Sequence, residues 1–389
     1  MLLTGTGRLA PAGLSPWAIL VRDGRIAWIG APADAPEAAS TDQRVDLGSA
    51  LVTPGLVDSH THPIFAGDRS DEAAARLEGA PYTEGGILRT VRETRATADA
   101  ELERLVEARL TASLRAGTTT VECKSGYGLS LDEELRHLRL LRRVAQRVPV
   151  RVIATFLGAH AVPPEAASMA EYATHVADDM IPAVAAESLA EFVDVFADAG
   201  FFDLPAVERI ARAADDAGLG LRLHAEQLSA TGAAEVGARL GAASVDHLEQ
   251  LTNAGVAALR GADTVATLLP APALVMRAGY PPARALVDGG VTVALATDAN
   301  AGTYSGFGTM PLVIGLGATL LGLTMAEALT AATAGGAQAL RRPDLGVVEI
   351  GAAADLVAWD AEHEGAFALR LGAVRPTRVW VSGEEIATG

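Results

Sequence analysis

The chain has 389 residues, of which 50% are hydrophobic and 20% charged, and its formal net charge is −17. A negatively charged protein repels the phosphates of nucleic acids and acidic lipid surfaces, so neither is expected as a partner. The length suffices for two or three small domains, or for one large α/β barrel with an appendage.

The two ends of the chain have the texture of β-structure. Asp23-Gly24 separates two apolar runs and predicts a hairpin, because glycine accepts the positive φ of a tight turn. Short runs rich in Val and Trp, with a turn at Gly383, return near the C-terminus. We therefore predict a small β-sandwich domain built from both termini, residues 1–53 and 345–389. The N-terminal segment lacks the pattern of a secretory signal, which predicts a cytoplasmic protein.

Between these ends, over residues 54–344, strand-like runs alternate with helical periods. Eight runs have the length and apolar content of buried strands: 51–58, 118–124, 150–159, 191–197, 219–223, 242–246, 264–270 and 291–297. Eight strand–helix units over this length favour an α/β fold of the (β/α)8 TIM-barrel type. Periodicity alone also fits a doubly wound open sheet.

The helical periods carry their own start and stop signals. Thr324 and Glu327 have the spacing of a capping box. The uncharged stretch between Asp298 and Glu327 is interrupted by glycines and predicts a loop followed by a buried helix rather than a membrane span. His137 is placed on the polar side of its predicted helix, and neither it nor His175 is assigned a role; the same holds for His363.

The second predicted strand ends at Cys123 and Lys124, the only cysteine and the only lysine of the chain. One cysteine excludes an internal disulfide framework and a cysteine-clustered metal site, so Cys123 is interpreted as buried packing. Two-metal hydrolases of the barrel type often use a carbamylated lysine on a middle strand, and 191–197 contains none. We therefore predict a single metal ion. For Lys124 itself, the alternative interpretation is an exposed structural residue.

Side chains able to bind metals recur where predicted strands end. Six of them have this placement: His60, His62, His160, His224, His247 and Asp298. In a parallel barrel the carboxyl ends of the strands meet at one mouth, where such folds place their active sites. The sequence therefore predicts one site that these residues share.

A metal-ligand set can be drawn from these six residues. His60 and His62 are two apart on an extended segment and point the same way. With His224 and Asp298 they form three imidazoles and one carboxylate, which suits zinc or iron and is poor for magnesium or calcium. A hydrolytic metal leaves one position for water, whose pKa falls to about 7. Asp298 would bind the metal, accept the proton of that water, or do both.

Several motifs together resemble one family. In chain order they are DSHTHPIFAGDR (58–69), VECKSGYGLSLDEELRHLR (121–139), TFLGAHAVPPE (155–165), LRLHAEQLS (221–229), SVDHLE (244–249) and LATDANAGT (295–303). This succession resembles the imidazolonepropionases, an amidohydrolase-superfamily family of histidine degradation, over essentially the whole chain. The resemblance implies ring-opening hydrolysis of 4-imidazolone-5-propanoate to N-formimidoyl-L-glutamate.

The resemblance also assigns roles to residues. It implies one Zn²⁺ or Fe³⁺ ion per subunit on His60, His62, His224 and Asp298, and a homodimer. Seven residues match family positions that contact the small-molecule substrate or product: Arg69, Tyr127, His160, Gln227, Asn300, Gly302 and Thr303. His247, which has no ligand role in a one-metal site, is expected to hydrogen-bond the attacked carbonyl or the water and to share catalysis with Asp298.

Two departures and two alternatives accompany this interpretation. Segment 79–91 is a few residues shorter than the corresponding family loop, and Gln227 stands where some relatives carry glutamate. Glutamine cannot exchange a proton, so Gln227 can only orient a ring.

One alternative is a mononuclear amidohydrolase that opens another cyclic amide or deaminates a heterocycle. The other is a barrel without chemistry, which would be expected to lack a ligand, and all four are present.

Overall fold

The computed structural model describes residues 1–36, 43–79 and 85–387. The strands of this part of the chain are, in order, β1 Leu2–Gly5, β2 Trp17–Arg22, β3 Arg25–Gly30, β4 Arg44–Asp46, β5 Val52–Pro54, β6 Leu56–Asp58, β7 Thr118–Lys124, β8 Arg151–Ala159, β9 Phe192–Ala197, β10 Gly220–Ala225, β11 Ser244–His247, β12 Val265–Leu268, β13 Val293–Leu295, β14 Leu356–Trp359, β15 Pro376–Val381 and β16 Glu384–Ile386.

Helices connect most of these strands. They are α1 Ser70–Leu77, α2 Gly85–Ala96, α3 Asp99–Arg115, α4 Leu131–Ala145, α5 Met169–His175, α6 Ile181–Ala186, α7 Leu204–Asp216, α8 Ala233–Arg239, α9 Asn253–Leu259, α10 Pro270–Met276, α11 Ala283–Asp288, α12 Met310–Thr319, α13 Met325–Thr330, α14 Gly336–Ala339 and α15 Ala366–Leu369. A 3₁₀ turn spans Pro32–Asp34, and π-helical turns at Val176–Met180 and Ala331–Gly335 join α5 to α6 and α13 to α14.

The eight strands β6 to β13 form one parallel sheet in sequential order, which confirms the predicted (β/α)8 barrel and excludes the open doubly wound sheet. The first and last strands meet through backbone contacts just past their ends. The Asp298 amide donates to the His60 carbonyl at 3.0 Å, and the His62 amide donates to the Ala299 carbonyl at 2.9 Å. Barrel closure therefore brings the His60–His62 segment directly against Asp298.

Two small sheets flank the barrel, one in the order β3-β2-β1-β4 and the other β16-β15-β14-β5. Side chains of both sheets share one buried apolar cluster, which includes Trp17 and Ile19 from the first and Leu356 and Trp380 from the second. The predicted sandwich from both chain ends is thus part of the fold, whereas the exact domain boundaries at 53/54 and 344/345 stay predictions.

The predicted strand 51–58 is wrong as a single element. It consists of β5, which pairs with β14 in a small sheet, and β6, which pairs with β7 in the barrel. Gly55 separates the two strands, and a Cβ there would lie 2.1 Å from the Thr119 hydroxyl. The chain crosses between sheets at this point because only glycine lets the backbone pass so close to a neighbouring strand.

The local signals of several helices are confirmed. Thr324 and Glu327 form both hydrogen bonds of the predicted capping box at the start of α13. The glycine-interrupted stretch becomes a loop followed by α12, most of whose residues are buried. The polar placement of His137 is wrong: its side chain is fully buried on α4, because that helix packs against both α3 and β8.

In the described ranges, no helix has both the length and the apolar character that a membrane crossing requires. The predicted shortening of segment 79–91 falls partly outside the described residues, since 80–84 are not among them.

Candidate active site

Three imidazoles and one carboxylate converge at the carboxyl end of the barrel. The Nε2 atom of His60 lies 3.1 Å from that of His224 and 3.3 Å from that of His62. The nearest Asp298 oxygen is 3.4 Å from Nε2 of His62 and 3.6 Å from that of His60. All four side chains are buried. The fold thus assembles the four predicted ligands, which come from β10 and from the segments that follow β6 and β13.

The donor chemistry of this cluster fits a bound cation. Nδ1 of His60 is 2.7 Å from an Asp246 oxygen, and Nδ1 of His224 is 3.1 Å from an Asp194 oxygen. Because an ionised carboxylate only accepts hydrogen bonds, each Nδ1 carries the proton and each Nε2 presents a lone pair. Two lone pairs 3.1 Å apart repel each other, and a metal ion between them removes that repulsion. Outer carboxylates of this kind fix the orientation of histidine ligands in metal sites.

A network of fully buried charges lies next to the cluster, on the barrel strands β7, β9, β10 and β11. The Lys124 ammonium is 2.8 Å from Glu122 and 2.7 Å from Asp194. The guanidinium of Arg222 is 3.1 Å from Asp246. The alternative of an exposed Lys124 is therefore wrong. Sequence reasoning missed the other four members of the network, Glu122, Asp194, Arg222 and Asp246. For Asp194 and Arg222 a visible signal was a charged residue between apolar neighbours in a predicted strand.

Burial and neighbouring charges set the protonation states. Burial lowers the pKa of His60 and His62, so both imidazoles are neutral and able to bind a metal. Burial raises the pKa of Asp298, but the hydrogen bond with His62 and the nearby imidazoles outweigh it and leave that pKa below its usual range. Burial acts to lower the pKa of His247, but the nearby Glu249 carboxylate outweighs burial, so the pKa of His247 is raised above its usual value.

A cavity opens directly above these groups. The residues that line it are His62, Arg69, Ile87, Tyr127, His160, Phe196, His224, Gln227, His247, Asp298, Asn300 and Thr303. Six of the seven predicted substrate contacts are among them. The seventh, Gly302, lines a larger outer pocket that shares Arg69 and Thr303 with the inner cavity. His60 lies below the cavity, beside His62 and His224.

Arg69 is held at the junction of the two pockets. Its guanidinium donates twice to one Glu72 oxygen, at 3.0 and 2.8 Å, and its side chain is 3% exposed. A Cβ on Gly302 would lie 2.2 Å from the Arg69 guanidinium, so a side chain at position 302 would displace the guanidinium from this place. Sequence reasoning did not find Glu72, which follows Arg69 by one helical turn.

The loop after β13 is tied together by one amide. Oδ1 of Asn300 accepts the backbone N–H groups of Gly302 and Thr303, at 2.7 and 2.8 Å. Its Nδ2 donates to the Asp298 carbonyl at 2.6 Å and to the Thr303 hydroxyl at 2.6 Å. Asn300 therefore holds the shape of the loop that carries Asp298, and its predicted contact with substrate stays a prediction.

His247 reaches the cavity from a backbone of unusual conformation. Its φ is +83° and that of Leu248 is +70°, in the left-handed region that non-glycine residues rarely adopt. Nδ1 of His247 lies 3.6 Å from a Glu249 oxygen. Strained residues cluster at functional sites, where the surrounding structure holds them in place. Glu249 was another residue that sequence reasoning did not assign.

Comparisons with known proteins agree with this geometry. The model of the amidohydrolase family matches residues 82–387. The chain is 46% identical over 369 residues to the imidazolonepropionase of Mycolicibacterium smegmatis, and this match covers 94% of this chain and 90% of that protein. It is 47% identical to the imidazolonepropionase of Ralstonia nicotianae, over 91% of this chain and 89% of the relative.

Among solved structures, the fold is similar to that of a 5-methylcytosine deaminase from Klebsiella pneumoniae. The TM-score is 0.80 at 17% sequence identity, and the match covers 100% of this chain and 98% of the other. This likeness concerns the fold alone, whereas the sequence relatives match over nearly their whole length. The chain therefore belongs to the amidohydrolase family and, within it, to the imidazolonepropionases.

Proposed function

We propose that this chain hydrolyses the ring amide of 4-imidazolone-5-propanoate to give N-formimidoyl-L-glutamate. The observation that carries the proposal is one cavity that three of the four proposed ligands share with Arg69 and the other predicted contact residues. These cavity-lining residues are His62, His224, Asp298, Arg69, Tyr127, His160 and Gln227. Such a cavity combines groups for a hydrolytic reaction with groups for a small anionic heterocycle. The family membership supports the same reaction.

His60, His62, His224 and Asp298 would hold one divalent metal ion, for which we propose zinc or iron. When bound, such an ion is a Lewis acid that polarises a carbonyl and lowers the pKa of water to about 7. The neutral imidazoles and the ionised carboxylate described above are the protonation states that such an ion needs.

Arg69 is the proposed anchor of the propanoate carboxylate. A chain of net charge −17 needs a local cation to accept an anion, and the planar guanidinium can bind a carboxylate through two hydrogen bonds. In the structure Glu72 takes this position on the guanidinium. The substrate carboxylate would share or displace that contact. Tyr127 and His160, whose ring centroids are 5.2 Å apart, would flank the heterocycle.

Asp298 and His247 are the proposed proton carriers. Water adds to the ring carbonyl carbon, the bond between this carbon and the ring nitrogen breaks, and the proton of the water must reach that nitrogen. Asp298 is ionised, so it can accept this proton and pass it on. His247, whose pKa is raised, can donate a hydrogen bond to the carbonyl oxygen as negative charge develops there. Gln227 orients the ring without exchanging a proton.

The test is an ultraviolet assay of imidazolone absorbance with freshly prepared substrate and protein loaded with zinc or with iron. We expect loss of the absorbance and formation of N-formimidoyl-L-glutamate, with elemental analysis giving one ion per chain. Absence of turnover by either loaded form would refute the proposal, and release of ammonia from purines or pyrimidines would favour a deaminase instead. We also propose a homodimer and a cytoplasmic location, which light scattering and cell fractionation test.

A further inference from the structure

A buried carboxylate outside the ligand cluster organises one wall of the cavity. Glu134 lies in the first turn of α4 and is fully buried. Its Oε1 accepts the backbone N–H groups of Gly128 and Leu129, both at 2.8 Å, and its Oε2 accepts that of Gly126 at 3.1 Å. One side chain thus binds three of the five amides at 125–129, the segment that we call the Tyr127 loop.

The backbone of the Tyr127 loop needs such support. Its φ is +106° at Gly126 and +51° at Leu129, and the second value is rarely adopted by a residue with a side chain. The Arg95 guanidinium adds one more bond, to the carbonyl of Gly128 at 2.7 Å. Because strained loop conformations persist only where the surroundings hold them, the carboxylate of Glu134 is the main fixed point of this turn.

The same loop controls the histidine across the cavity. Nδ1 of His160 lies 2.9 Å from the carbonyl oxygen of Gly126. A carbonyl only accepts, so Nδ1 carries the proton, and Nε2 of the neutral ring is left as an acceptor. Gly126 is itself bound by Glu134 through its amide. The position of Tyr127 and the tautomer of His160 therefore depend on one carboxylate.

We infer that Glu134 is a positioning residue that holds the Tyr127 loop so that Tyr127 packs against the ligand and His160 accepts a hydrogen bond from it. The matching ligand is a planar ring with an N–H donor on the side facing His160. This inference rests on the proposed function only for the identity of that ring, because the hydrogen bonds of the loop exist in the free protein.

The test compares Glu134→Gln with Glu133→Gln. Glu133 belongs to the same helical turn, and its carboxylate accepts from Arg136 at 2.8 Å, so it makes a matched control. In Glu134→Gln one carboxylate oxygen becomes an NH₂ group, which cannot accept a hydrogen bond from the backbone N–H groups that it faces. We expect amide exchange of the Tyr127 loop to accelerate about 10- to 100-fold, since buried donors lose their acceptor. The control should keep the wild-type exchange rates.

The kinetic and spectroscopic arms distinguish positioning from a merely structural role. We expect the KM of Glu134→Gln for 4-imidazolone-5-propanoate to rise about 10-fold while kcat changes less than about 3-fold, because ground-state contacts are lost. Nitrogen NMR of the wild type should show the His160 proton on Nδ1, and of the variant a mixture of tautomers. Bound metal should stay at the wild-type level.

Three results would overturn the inference: unchanged amide exchange in Glu134→Gln, faster exchange with wild-type KM, or a wild-type His160 proton on Nε2. If Glu134→Gln does not fold, Glu134→Asp takes its place, and its shorter side chain must speed exchange of at least one of the three amides. Failure of the proposed function would appear as a wild-type protein without turnover, and the exchange and NMR measurements would still decide the role of Glu134.

Discussion

Replacing the only lysine tests the charge network beneath the site. Lys124→Met removes an ammonium that lies 2.8 Å from Glu122 and 2.7 Å from Asp194, with all three side chains fully buried. Breaking a buried ion pair by removing one partner typically destabilises a protein by about 3–5 kcal/mol, because the other charge stays desolvated. We expect a loss of this size in the free energy of unfolding, measured in urea at pH 7.

The sign of the pH dependence follows from the same geometry. Burial raises the pKa of Asp194, and His224 and Lys124 together outweigh it, so removing the ammonium raises that pKa from its lowered value. A carboxyl whose folded pKa is raised favours the folded state at low pH. The difference in free energy of unfolding between the wild type and Lys124→Met should therefore be smaller at pH 5 than at pH 7. The control is Arg104→Met, which removes an exposed cation 2.7 Å from Glu101 and should leave the free energy of unfolding nearly unchanged, because solvent screens this pair.

Because the chain has one lysine, amine labelling gives an independent measurement of the same network. We expect native protein to take up one acyl group, at the α-amino group, and unfolded protein to take up a second at Lys124. Labelling of the buried Lys124 should be at least about 1,000-fold slower in the native state, since it requires the structure to open. Equal labelling rates, or a Lys124→Met deficit no larger than that of Arg104→Met, would refute the reasoning.

Three further predictions concern the helices and the metal ligands. Burial lowers the pKa of His137 to about 3, so the stability that the neutral side chain contributes is present above pH 6.5 and falls as the pH drops. From pH 7 to pH 5 the free energy of unfolding of the wild type should fall by about 2 kcal/mol more than that of His137→Leu, measured by urea unfolding at both pH values. Thr324→Ala should destabilise α13 by about 1 kcal/mol in the same assay, whereas Ser130→Ala, at an N-cap whose side chain makes no capping bond in the described structure, should change little. Asp246→Asn should weaken zinc binding about 10- to 100-fold in a chelator competition, because Asp246 orients His60, while Asp263→Asn at the surface should leave it unchanged. Equal affinities of the two aspartate variants would contradict the ligand geometry.

Local sequence patterns predicted much of the fold. The hairpin at Asp23-Gly24 and the capping box at Thr324 and Glu327 depend on a few neighbouring residues, and both are present as predicted. Strand–helix alternation identified the barrel, because the barrel strands are largely buried and helices such as α4 and α7 bury one apolar face. The same rules failed at Gly55, where one apolar run is divided between two sheets, since pairing partners are chosen far away in the chain.

The histidines and Asp298 were visible in the sequence because they follow strands, and a parallel barrel gathers strand ends at one mouth. What surrounds them was decided by tertiary structure. Lys124 and Glu122 lie on β7, and Asp194 lies on β9, two strands along the sheet. Only the closed sheet places their charges within hydrogen-bond distance and away from water. His137 was misplaced for the same reason: a helical period gives one apolar face, and it does not show that a second neighbour covers the polar one. The sequence thus determined which groups can do chemistry, and packing determined their protonation, orientation and partners, because burial and distance exist only in the folded chain.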